Sequence, residues 1–328
     1  MDHMRGVRQD GYGGTEVLSP QTMAVPAPAA REVLVRVEAA ALDRGTWHVM
    51  TGLPRIARLG LGLRRPRNQV PGLDVAGVVA AVGPGVTAFA VGDPVFGTAR
   101  GSFAEYAIAR VETLVRRPAS VTPSEAAALG VSGCTAVQAL DAARVGEAST
   151  VLVIGASGGV GSLAVLIARL RGASVTAVCS AAKADAVRSW GAGRVLDYAT
   201  DELAGERMRY GAVLDIAGGT PLDRLRELVG PAGTIVFVGR EGGGQWTGGF
   251  GAPMRNALRM LPGRQRYVML MSRVRSADLQ TLAVLAGDQG LRPHVHATYG
   301  LGDVRAAMDA LTSGSVVGKI VLVPDGAA

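Results

Sequence analysis

Cysteine and aromatic residues are both scarce in this sequence. The 328 residues include two cysteines, Cys134 and Cys179, and aromatic side chains make up 4% of the chain. Two cysteines cannot form the disulfide framework of a small secreted domain, and both lie in apolar stretches where a small buried side chain explains them. We therefore expect a cytoplasmic protein.

Long hydrophobic runs are also missing. A membrane-spanning helix needs about 20 consecutive apolar residues, and no stretch reaches that length although 48% of the residues are hydrophobic. The first residues, MDHMRGVRQDGYGG, lack the apolar core of a secretory signal. We expect no membrane partner, and the length of the chain suggests about two domains.

Acidic residues are outnumbered by basic ones, 27 to 34, which gives a formal net charge of +7. Most arginines are scattered, and the dense run PRIARLGLGLRRPR, Pro54–Arg67, lacks the interleaved aromatic side chains that stack on bases. We therefore expect no nucleic-acid partner. The run is either a solvated basic face or a rim that attracts a phosphate-bearing or acidic substrate.

Glycine is abundant, and one cluster of four follows a short apolar run in VLVIGASGGVGS, Val151–Ser162. Gly155, Gly158 and Gly161 are spaced as GxxGxxG between a predicted buried strand and a segment with helical spacing. At such a turn, the free N–H groups and the positive dipole end of the helix can bind a pyrophosphate that side chains would crowd out. The pattern predicts a dinucleotide site.

The next predicted strand, ASVTAVCS, ends where a Rossmann unit meets the adenosine ribose. An NAD-selective site places a carboxylate at this point, whereas this chain has Cys179 and Ser180, followed by Lys183. A hydroxyl and an ammonium attract a 2′-phosphate that a carboxylate would repel. The sequence therefore predicts NADPH as the cofactor.

The strand and helix pattern changes along the chain. Residues before Thr122 are rich in strands, and later strands alternate with helices at Val151–Ile154, Val175–Cys179, Arg194–Leu196, Ala212–Ile216, Thr234–Val238 and Tyr267–Met271. After Leu291 a strand, a helix and a strand are expected to return to the first region. The predicted fold class is α/β, with a doubly wound parallel Rossmann sheet, residues 122–290, inserted in a β-rich domain of residues 1–121 and 291–328.

This organisation resembles the medium-chain dehydrogenase/reductase superfamily over nearly the whole chain, and within it the zinc-free, quinone-oxidoreductase-like (zeta-crystallin-like) branch. The motifs that carry the resemblance are YGGTEVL (12–18), PGLDVAGVVAAVGPGV (71–86), GDPVFG (92–97), GSFAEY (101–106), GASGGVGSLAVLIAR (155–169), GAGRVLDY (191–198) and GKIVL (318–322). The resemblance implies a GroES-like catalytic domain around a Rossmann NADP-binding domain.

The resemblance also implies positions that bind the cofactor. Its pyrophosphate would lie along Ala156, Ser157, Gly158, Gly159, Val160 and Gly161. Its 2′-phosphate would meet Ser180, Lys183 and Tyr198. The groove from adenine to nicotinamide would be lined by Ala217, Val238, Gly239, Met269 and Leu270, with Thr135 and Lys319 nearby.

Zinc-bearing relatives differ from this chain at the positions of their metal ligands. They place a cysteine where this chain has Asp43, and their GHE motif reads GLD here, so that Leu73 replaces the histidine. Their third ligand position falls near Val131. Because a catalytic zinc needs three protein ligands, the sequence predicts no metal.

The turn after the third strand is the expected catalytic region. In the resembling branch it often reads like VNPxDW, with the Asn and Asp facing the nicotinamide, whereas this chain reads LDRGTW, Leu42–Trp47. Asp43 replaces the amide and Thr46 replaces the carboxylate. We expect a rearranged polar set in which Thr46 or His48 donates a hydrogen bond and Asp43 orients the donor. A glycine-rich stretch, Arg240–Arg264, is expected to form a mobile cover.

Without a metal, a conjugated substrate fits best, because the arriving charge spreads onto an oxygen that ordinary hydrogen-bond donors can hold. We expect an NADPH-dependent reductase that transfers hydride to the C=C bond of a quinone, enone or enoyl substrate, a small unsaturated carbonyl compound. A zinc-independent carbonyl reductase or alcohol dehydrogenase, and a non-catalytic NADPH-binding relative, stay open as alternatives. The apolar run RYVMLMS, Arg266–Ser272, predicts an edge strand that pairs in a homodimer.

Overall fold

The computed structural model describes residues 3–200, 202–239 and 264–324, so the predicted cover at 240–264 lies outside the described residues except for its last one. The chain divides into two compact units, a first unit of residues 1–134 and 274–328 and a second unit of residues 135–273. These boundaries differ from the predicted ones at 121/122 and 290/291, and the domain assignment stays a prediction.

The first unit is built on a largely antiparallel sheet. Numbered along the chain, its strands are β1 (His3–Gln9), β2 (Leu18–Ala24), β3 (Glu32–Leu42), β4 (Asp74–Val82), β5 (Pro94–Thr98), β6 (Tyr106–Arg110), β7 (Leu114–Arg116), β14 (Val295–Gly300) and β15 (Lys319–Val323). The sheet order is β14-β15-β3-β4-β5-β7, β6 also pairs with β3, and β1 and β2 form a separate hairpin.

Strand β3 lies at the centre of this unit because nearly all of its side chains are buried on one face or the other. Its pairing with β15 sets Leu42 opposite Ile320 in antiparallel register. Asp43, which follows Leu42, and Lys319, which precedes Ile320, are therefore brought to the same end of the sheet. The C-terminal strand, helix and strand were predicted to return to this region, and the structure pairs β15 with β3 there.

The helices of the first unit are α1 (Arg44–Thr51), α2 (Arg58–Leu61), most of α3 (Pro123–Ala142), α8 (Ser276–Asp288) and α9 (Val304–Thr312). Two glycines in α3 permit close packing. A Cβ on Gly130 would lie 2.4 Å from a carboxylate oxygen of Asp74, and a Cβ on Gly133 would lie 2.7 Å from Leu282. Gly130 therefore leaves room for the Asp74 side chain against the helix.

The second unit is a doubly wound parallel sheet, as predicted. Its strands are β8 (Thr150–Ile154), β9 (Ser174–Cys179), β10 (Arg194–Asp197), β11 (Tyr210–Asp215), β12 (Val229–Phe237) and β13 (Arg266–Met269), in the order β10-β9-β8-β11-β12-β13. The helices α4 (Gly159–Leu170), α5 (Ala184–Ser189), α6 (Glu202–Gly205) and α7 (Leu222–Leu228) connect them. The six predicted strands and the α/β fold class are confirmed, and strand ends differ by a few residues.

The core of the second unit explains why these runs form strands. Leu152, Val213 and Ile235, from the three adjacent strands β8, β11 and β12, are each fully buried in one apolar cluster. A parallel sheet covered on both faces needs such continuous apolar runs rather than alternating ones. In the part of the chain that the structure describes, no helix is both long and apolar enough to cross a membrane.

Candidate functional site

Two positions in the turn between β8 and α4 require glycine for steric reasons. Gly155 has φ +87°, and a Cβ there would lie 2.9 Å from the Cβ of Ala217. A Cβ on Gly161 would lie 2.1 Å from the carbonyl oxygen of Gly155. Both positions exclude any side chain, so the start of α4 can pack directly against the end of β8.

The same turn presents unused hydrogen-bond donors. Gly158 caps α4 without a side-chain hydrogen bond, and the N–H groups of Ser157, Gly159 and Val160 have no partner among the described residues. A Cβ on Gly158 would meet only the carbonyl oxygen of Gly155, at 3.7 Å, so packing inside the protein does not require glycine there. The open space beside free donors fits a pyrophosphate.

The predicted groove residues lie at the carboxyl ends of the neighbouring strands. Ala217 donates its N–H to the Ile154 carbonyl at 3.2 Å, Val238 to that of Asp215 at 3.0 Å, and Leu270 to that of Phe237 at 2.9 Å. Gly239 and Met269 adjoin these residues in sequence. Because ligands of open α/β sheets bind beyond the carboxyl ends of strands, the structure brings these five positions to the edge that the glycine turn occupies.

Ser180, Lys183 and Tyr198 are brought together at the end of β9. Ser180 follows the last strand residue, Cys179, and the N–H of Tyr198 donates to the Cys179 carbonyl at 3.3 Å. Tyr198 is 65% exposed and available to a ligand. The position of these side chains at one strand end agrees with a site for the 2′-phosphate.

The charge at this strand end is mixed. Burial raises the pKa of the Cys179 thiol, the Asp197 carboxylate raises it further, and the Lys183 and Arg188 cations oppose the rise. The Lys183 and Arg188 cations and the Asp197 carboxylate therefore all act electrostatically on the Cys179 thiol. The carboxylate accepts the N–H of Ala199 at 2.9 Å, which partly satisfies its charge.

Thr135, on α3, lies against the segment that follows β13. Its hydroxyl is hydrogen-bonded to that of Ser272 at 2.8 Å, and Gln138 donates to the carbonyl of Arg273 at 2.6 Å. These bonds fix the chain just beyond Met269 and Leu270. Thr135 is thus placed beside the predicted groove, and its contact with the cofactor stays a prediction.

The predicted catalytic turn is the N-terminus of α1. Asp43 is the N-cap residue, and its Oδ1 accepts the N–H of Thr46 at 2.6 Å and the Thr46 hydroxyl at 3.0 Å. Asp43 and Thr46 are 8% and 2% exposed. A capping carboxylate satisfies the free donors of the first turn, which explains why an aspartate suits this position.

This geometry assigns Asp43 the orienting role and removes one candidate donor. The Thr46 hydroxyl gives its proton to Asp43, so it offers a ligand only its lone pairs in this arrangement. The other carboxylate oxygen of Asp43, Oδ2, is buried and has no hydrogen-bond partner among the described residues. A buried acceptor without a partner costs free energy, so Oδ2 is suited to accept a hydrogen bond from a ligand.

His48 lies one turn further along α1 and is half-buried. Its Nδ1 is 2.8 Å from the Leu53 carbonyl oxygen. A carbonyl only accepts, so we assign the proton to Nδ1, which leaves Nε2 as the second ring nitrogen. The predicted donor role of His48 would therefore require its protonated form.

A buried ion pair lies at the same end of the sheet. The Lys319 ammonium is 3.0 Å from Asp74 Oδ2 and 3.2 Å from the Ser132 hydroxyl. The other oxygen of Asp74 accepts the Val131 N–H at 2.6 Å. Lys319 was predicted to contact the cofactor, and the partners that the structure gives its ammonium are these two side chains, so that contact stays a prediction.

The electrostatics of Asp74 link this ion pair to Asp43. Burial raises the pKa of Asp74 from 3.8 to about 6, with Lys319 opposing the rise and the Asp43 carboxylate adding to it. The protein therefore holds two carboxylates and one ammonium at the β3 end of the first unit. A change in charge at Asp74 acts on Asp43 through this coupling.

Across residues 3–200, 202–239 and 264–324, no three His, Cys, Asp or Glu side chains form a group that could hold a metal ion. Leu73, at the histidine position of zinc-bearing relatives, is 38% exposed. Burial raises the pKa of the Cys134 thiol to about 12, which makes thiolate ligation by that residue costly.

Several residues of these clusters were not singled out from the sequence. Asp74 and Ser132 were missed, although the GLD motif contains Asp74, because their partner Lys319 is far away along the chain. Ser272, Arg188 and Asp197 were missed because each acts through a tertiary contact. The sequence offered one general indication of such partners. Burying a charged side chain costs free energy, so a buried lysine needs a partner.

Two family profiles match the chain. The one described as "Alcohol dehydrogenase GroES-like domain" matches residues 29–119, and the one described as "Zinc-binding dehydrogenase" matches residues 190–322. The first match falls in the first unit, and the second starts in the second unit and continues to β15.

Whole-chain comparisons agree with these profiles. The quinone-oxidoreductase homolog, chloroplastic, of Spinacia oleracea is 32% identical over 337 residues, which cover 98% of each chain. The structure of the quinone oxidoreductase from Coxiella burnetii has a TM-score of 0.85 at 25% identity, over 98% of this chain and 99% of that one. A cobalt- and zinc-bound thermostable alcohol dehydrogenase from Pyrobaculum aerophilum has a TM-score of 0.82 at 28% identity, over 98% and 100%.

Proposed function

The chain belongs to the quinone-oxidoreductase-like branch of the medium-chain dehydrogenase/reductase family, whose members are oxidoreductases that use a nicotinamide cofactor, and we propose that it is a cytoplasmic NADPH-dependent reductase. It transfers hydride to a conjugated C=C bond of a quinone, enone or enoyl substrate. The observation that carries the proposal is the glycine turn with its free N–H donors, followed at the next strand by Ser180 and Lys183 in place of a carboxylate.

The second unit holds the cofactor in this proposal. NADPH, when bound, supplies the hydride. The N–H groups of Ser157, Gly159 and Val160 bind the pyrophosphate, because they have no partner among the described residues and lie at the positive end of α4. Lys183, Ser180 and Tyr198 bind the 2′-phosphate, and Asp197 limits the net positive charge there.

The first unit supplies the polar groups that act on the substrate. Asp43 fixes the Thr46 hydroxyl and keeps Oδ2 free to accept a hydrogen bond from a ligand. His48 in its protonated form can donate from Nε2 to an oxygen that gains charge during reduction. A conjugated substrate needs no stronger electrophilic group, because it spreads the arriving charge onto that oxygen.

Zinc independence is part of the proposal. It is supported by the residue types at the positions where zinc-bearing relatives carry ligands, namely Asp43, Leu73 and Val131. One matching family profile is described as a zinc-binding dehydrogenase, and one structural relative contains cobalt and zinc. The metal content of this protein should therefore be measured. Metal analysis of the purified enzyme, with activity before and after a strong chelator, is expected to show substoichiometric zinc and unchanged rates.

NADPH oxidation with three substrates tests the proposed reaction. A quinone, an α,β-unsaturated ketone and a saturated ketone of similar size are each added to the same enzyme. We expect turnover with one or both conjugated compounds and none with the saturated ketone. Equal turnover of the saturated ketone would support a carbonyl reductase, and no turnover with tight NADPH binding would support a non-catalytic relative.

A homodimer is also proposed. Strand β13 ends the described strand order of the second sheet, and Met269 and Met271 beside it are 46% and 79% exposed. An apolar edge strand is an association surface unless it is covered. Light scattering is expected to give twice the mass of the chain, and Met269→Lys is expected to favour the monomer; a monomer for the wild type at micromolar concentration contradicts the proposal.

A further inference from the structure

The basic run Pro54–Arg67 is an ordered surface segment. The Arg58 side chain donates to the Gly52 carbonyl at 3.0 Å and lies 4.4 Å from the centre of the Tyr12 ring. The Tyr12 hydroxyl donates to the Gly62 carbonyl at 2.6 Å. Arg58 and Tyr12 therefore fix the backbone of the segment next to the end of α1, while Ile56, Leu59, Leu63 and four of its arginines stay exposed.

Three large apolar side chains of this segment point into water. Ile56, Leu59 and Leu63 are 56%, 69% and 70% exposed. Other strongly exposed apolar side chains in the described residues, such as Val91, occur singly or, like Met269 and Met271, at the sheet edge. Single exposed apolar residues need no explanation, whereas a group within one short segment marks an interaction surface.

Three arginines at the end of this segment form no ion pair with an acidic side chain among the described residues. The segment contains five arginines and no acidic residue, and Arg64, Arg65 and Arg67 form no salt bridge within the described residues. Arginines elsewhere in the first unit are commonly paired: Arg100 is 2.8 Å from Glu32, and Arg116 is 2.8 Å from Asp93. The segment therefore combines uncompensated positive charge with exposed apolar surface.

We propose that the segment Pro54–Arg67 docks on an anionic lipid surface, with Ile56, Leu59 and Leu63 inserted at the headgroup boundary and Arg64, Arg65 and Arg67 on the lipid phosphates. Charge complementarity selects this occupant, because exposed apolar and basic side chains within one short segment match the interface of an anionic bilayer. The sequence-based expectation of no membrane partner rested on the missing span, and peripheral docking needs none. The inference does not depend on the proposed reaction.

Co-sedimentation of the full-length protein with vesicles tests the docking. Vesicles of phosphatidylcholine alone are compared with vesicles containing about one third phosphatidylglycerol. We expect binding to the anionic vesicles that high salt reverses. Arg64→Gln, Arg65→Gln and Arg67→Gln together should weaken it about 100-fold, at about 1 kcal/mol for each arginine near the surface.

A charge-matched variant separates this surface from net charge. Arg110, Arg144 and Arg207 are exposed and lie outside the segment, and their joint replacement by Gln removes the same charge. We expect that variant to bind anionic vesicles nearly as the wild type does. Equal losses in the two triple variants would mean that only net charge matters, which overturns the proposal.

The apolar side chains are tested separately. Leu59→Ser with Leu63→Ser is expected to weaken vesicle binding at least about tenfold, because buried methylene groups are lost. Val91→Ser with Val284→Ser, at exposed positions elsewhere, is the matched control with no expected effect. Circular dichroism of each variant confirms folding.

Wild-type binding that is absent, or equal on neutral and anionic vesicles, also overturns the proposal. If vesicle binding is absent, the Arg64, Arg65 and Arg67 variant can in addition show a higher KM and a flatter salt dependence for a soluble anionic substrate. That result would make the segment a rim for an acidic substrate instead.

Discussion

The glycine turn of the second unit is built from main-chain atoms, whereas the cluster around Asp74 in the first unit is built from side chains. At the turn, Gly155 and Gly161 let one piece of backbone pack on another. At the cluster, Asp74 is fully buried and depends on Lys319, which lies 245 positions further along the chain. The close contact of Gly161 is with Gly155, six positions earlier, whereas the Asp74 cluster forms only when the C-terminal strand pairs with β3.

This difference predicts how each region responds to substitution. A main-chain site tolerates substitutions that change neither the backbone conformation nor the open space beside it. It is disrupted when an added Cβ clashes with neighbouring atoms or fills that space. A buried side-chain cluster fails when one charge loses its partner and can recover when the second charge is removed as well. The predictions below test this contrast, from the largest expected effect to the smallest.

Lys319→Met should be the most destabilising change. It leaves the Asp74 carboxylate buried without an opposite charge, which costs about 3 to 5 kcal/mol. Denaturant unfolding at neutral pH measures the loss. Adding Asp74→Asn to Lys319→Met keeps an acceptor for the Val131 N–H and removes the charge, so the double variant should recover at least half of the stability. A single variant that loses less than about 1 kcal/mol would show that the pair is not the centre of this cluster.

The stability of the protein should depend on pH through Asp74. Its pKa in the folded state is raised from 3.8 to about 6, so between these values the native state binds a proton that the unfolded chain does not. The contribution of this group to stability therefore increases as pH falls from about 6 to 4, by about 3 kcal/mol, and is lost as pH rises.

Comparison with Asp74→Asn isolates that contribution. The difference in free energy of unfolding between the wild type and Asp74→Asn should increase in favour of the wild type as pH falls from about 6 to 4. Asp93 offers a control of opposite sign, because the Ala90 N–H, with Arg116, lowers the pKa of that carboxyl. A pH-independent difference for Asp74→Asn would contradict the coupling.

Substitutions at Gly161 and Gly158, two glycines of one motif, should affect different properties, stability at the first and cofactor affinity at the second. Gly161→Ala places a Cβ against the Gly155 carbonyl oxygen, so we expect a loss of about 2 kcal/mol in stability together with weak cofactor binding. Gly158→Ala meets nothing closer than 3.7 Å within the described residues, so its melting temperature should stay near that of the wild type. Its affinity for NADPH should fall at least about tenfold, because the new methyl group occupies the space assigned to the pyrophosphate.

Calorimetry and titration with NADPH measure these two effects on the same samples. If Gly158→Ala bound NADPH as the wild type does, the pyrophosphate would lie elsewhere. If Gly161→Ala were as stable as the wild type, the backbone of the turn would be less constrained than the structure indicates.

Much of the fold could be predicted from the sequence because its signals are local. Apolar runs between helical segments located the six strands from β8 to β13, and the glycine spacing located the turn that follows β8. The polar turn at Asp43 and Thr46 was located by its resemblance to the corresponding turn of the family, and the capping bond that the structure shows there spans only three positions. These features depend on short stretches of chain and on the resemblance of the motifs.

The partners of the buried groups could not be predicted in the same way. The bond from Lys319 to Asp74 follows from the register of β15 on β3, and the bond from Thr135 to Ser272 follows from how α3 meets the end of β13. Thr46 was expected to be able to donate to a ligand, and the structure shows its hydroxyl donating to Asp43 instead. Tertiary pairing sets these choices, and no single segment contains the information.

Cofactor preference tests the central claim most directly. The kcat/KM values for NADPH and NADH are measured with a quinone or enone substrate in the wild type and in Lys183→Ala. We predict that the wild type strongly prefers NADPH and that Lys183→Ala loses about tenfold or more with NADPH while NADH is nearly unchanged, since one charge-assisted contact is removed. A wild type that prefers NADH, or equal losses with both cofactors in the variant, would contradict the account.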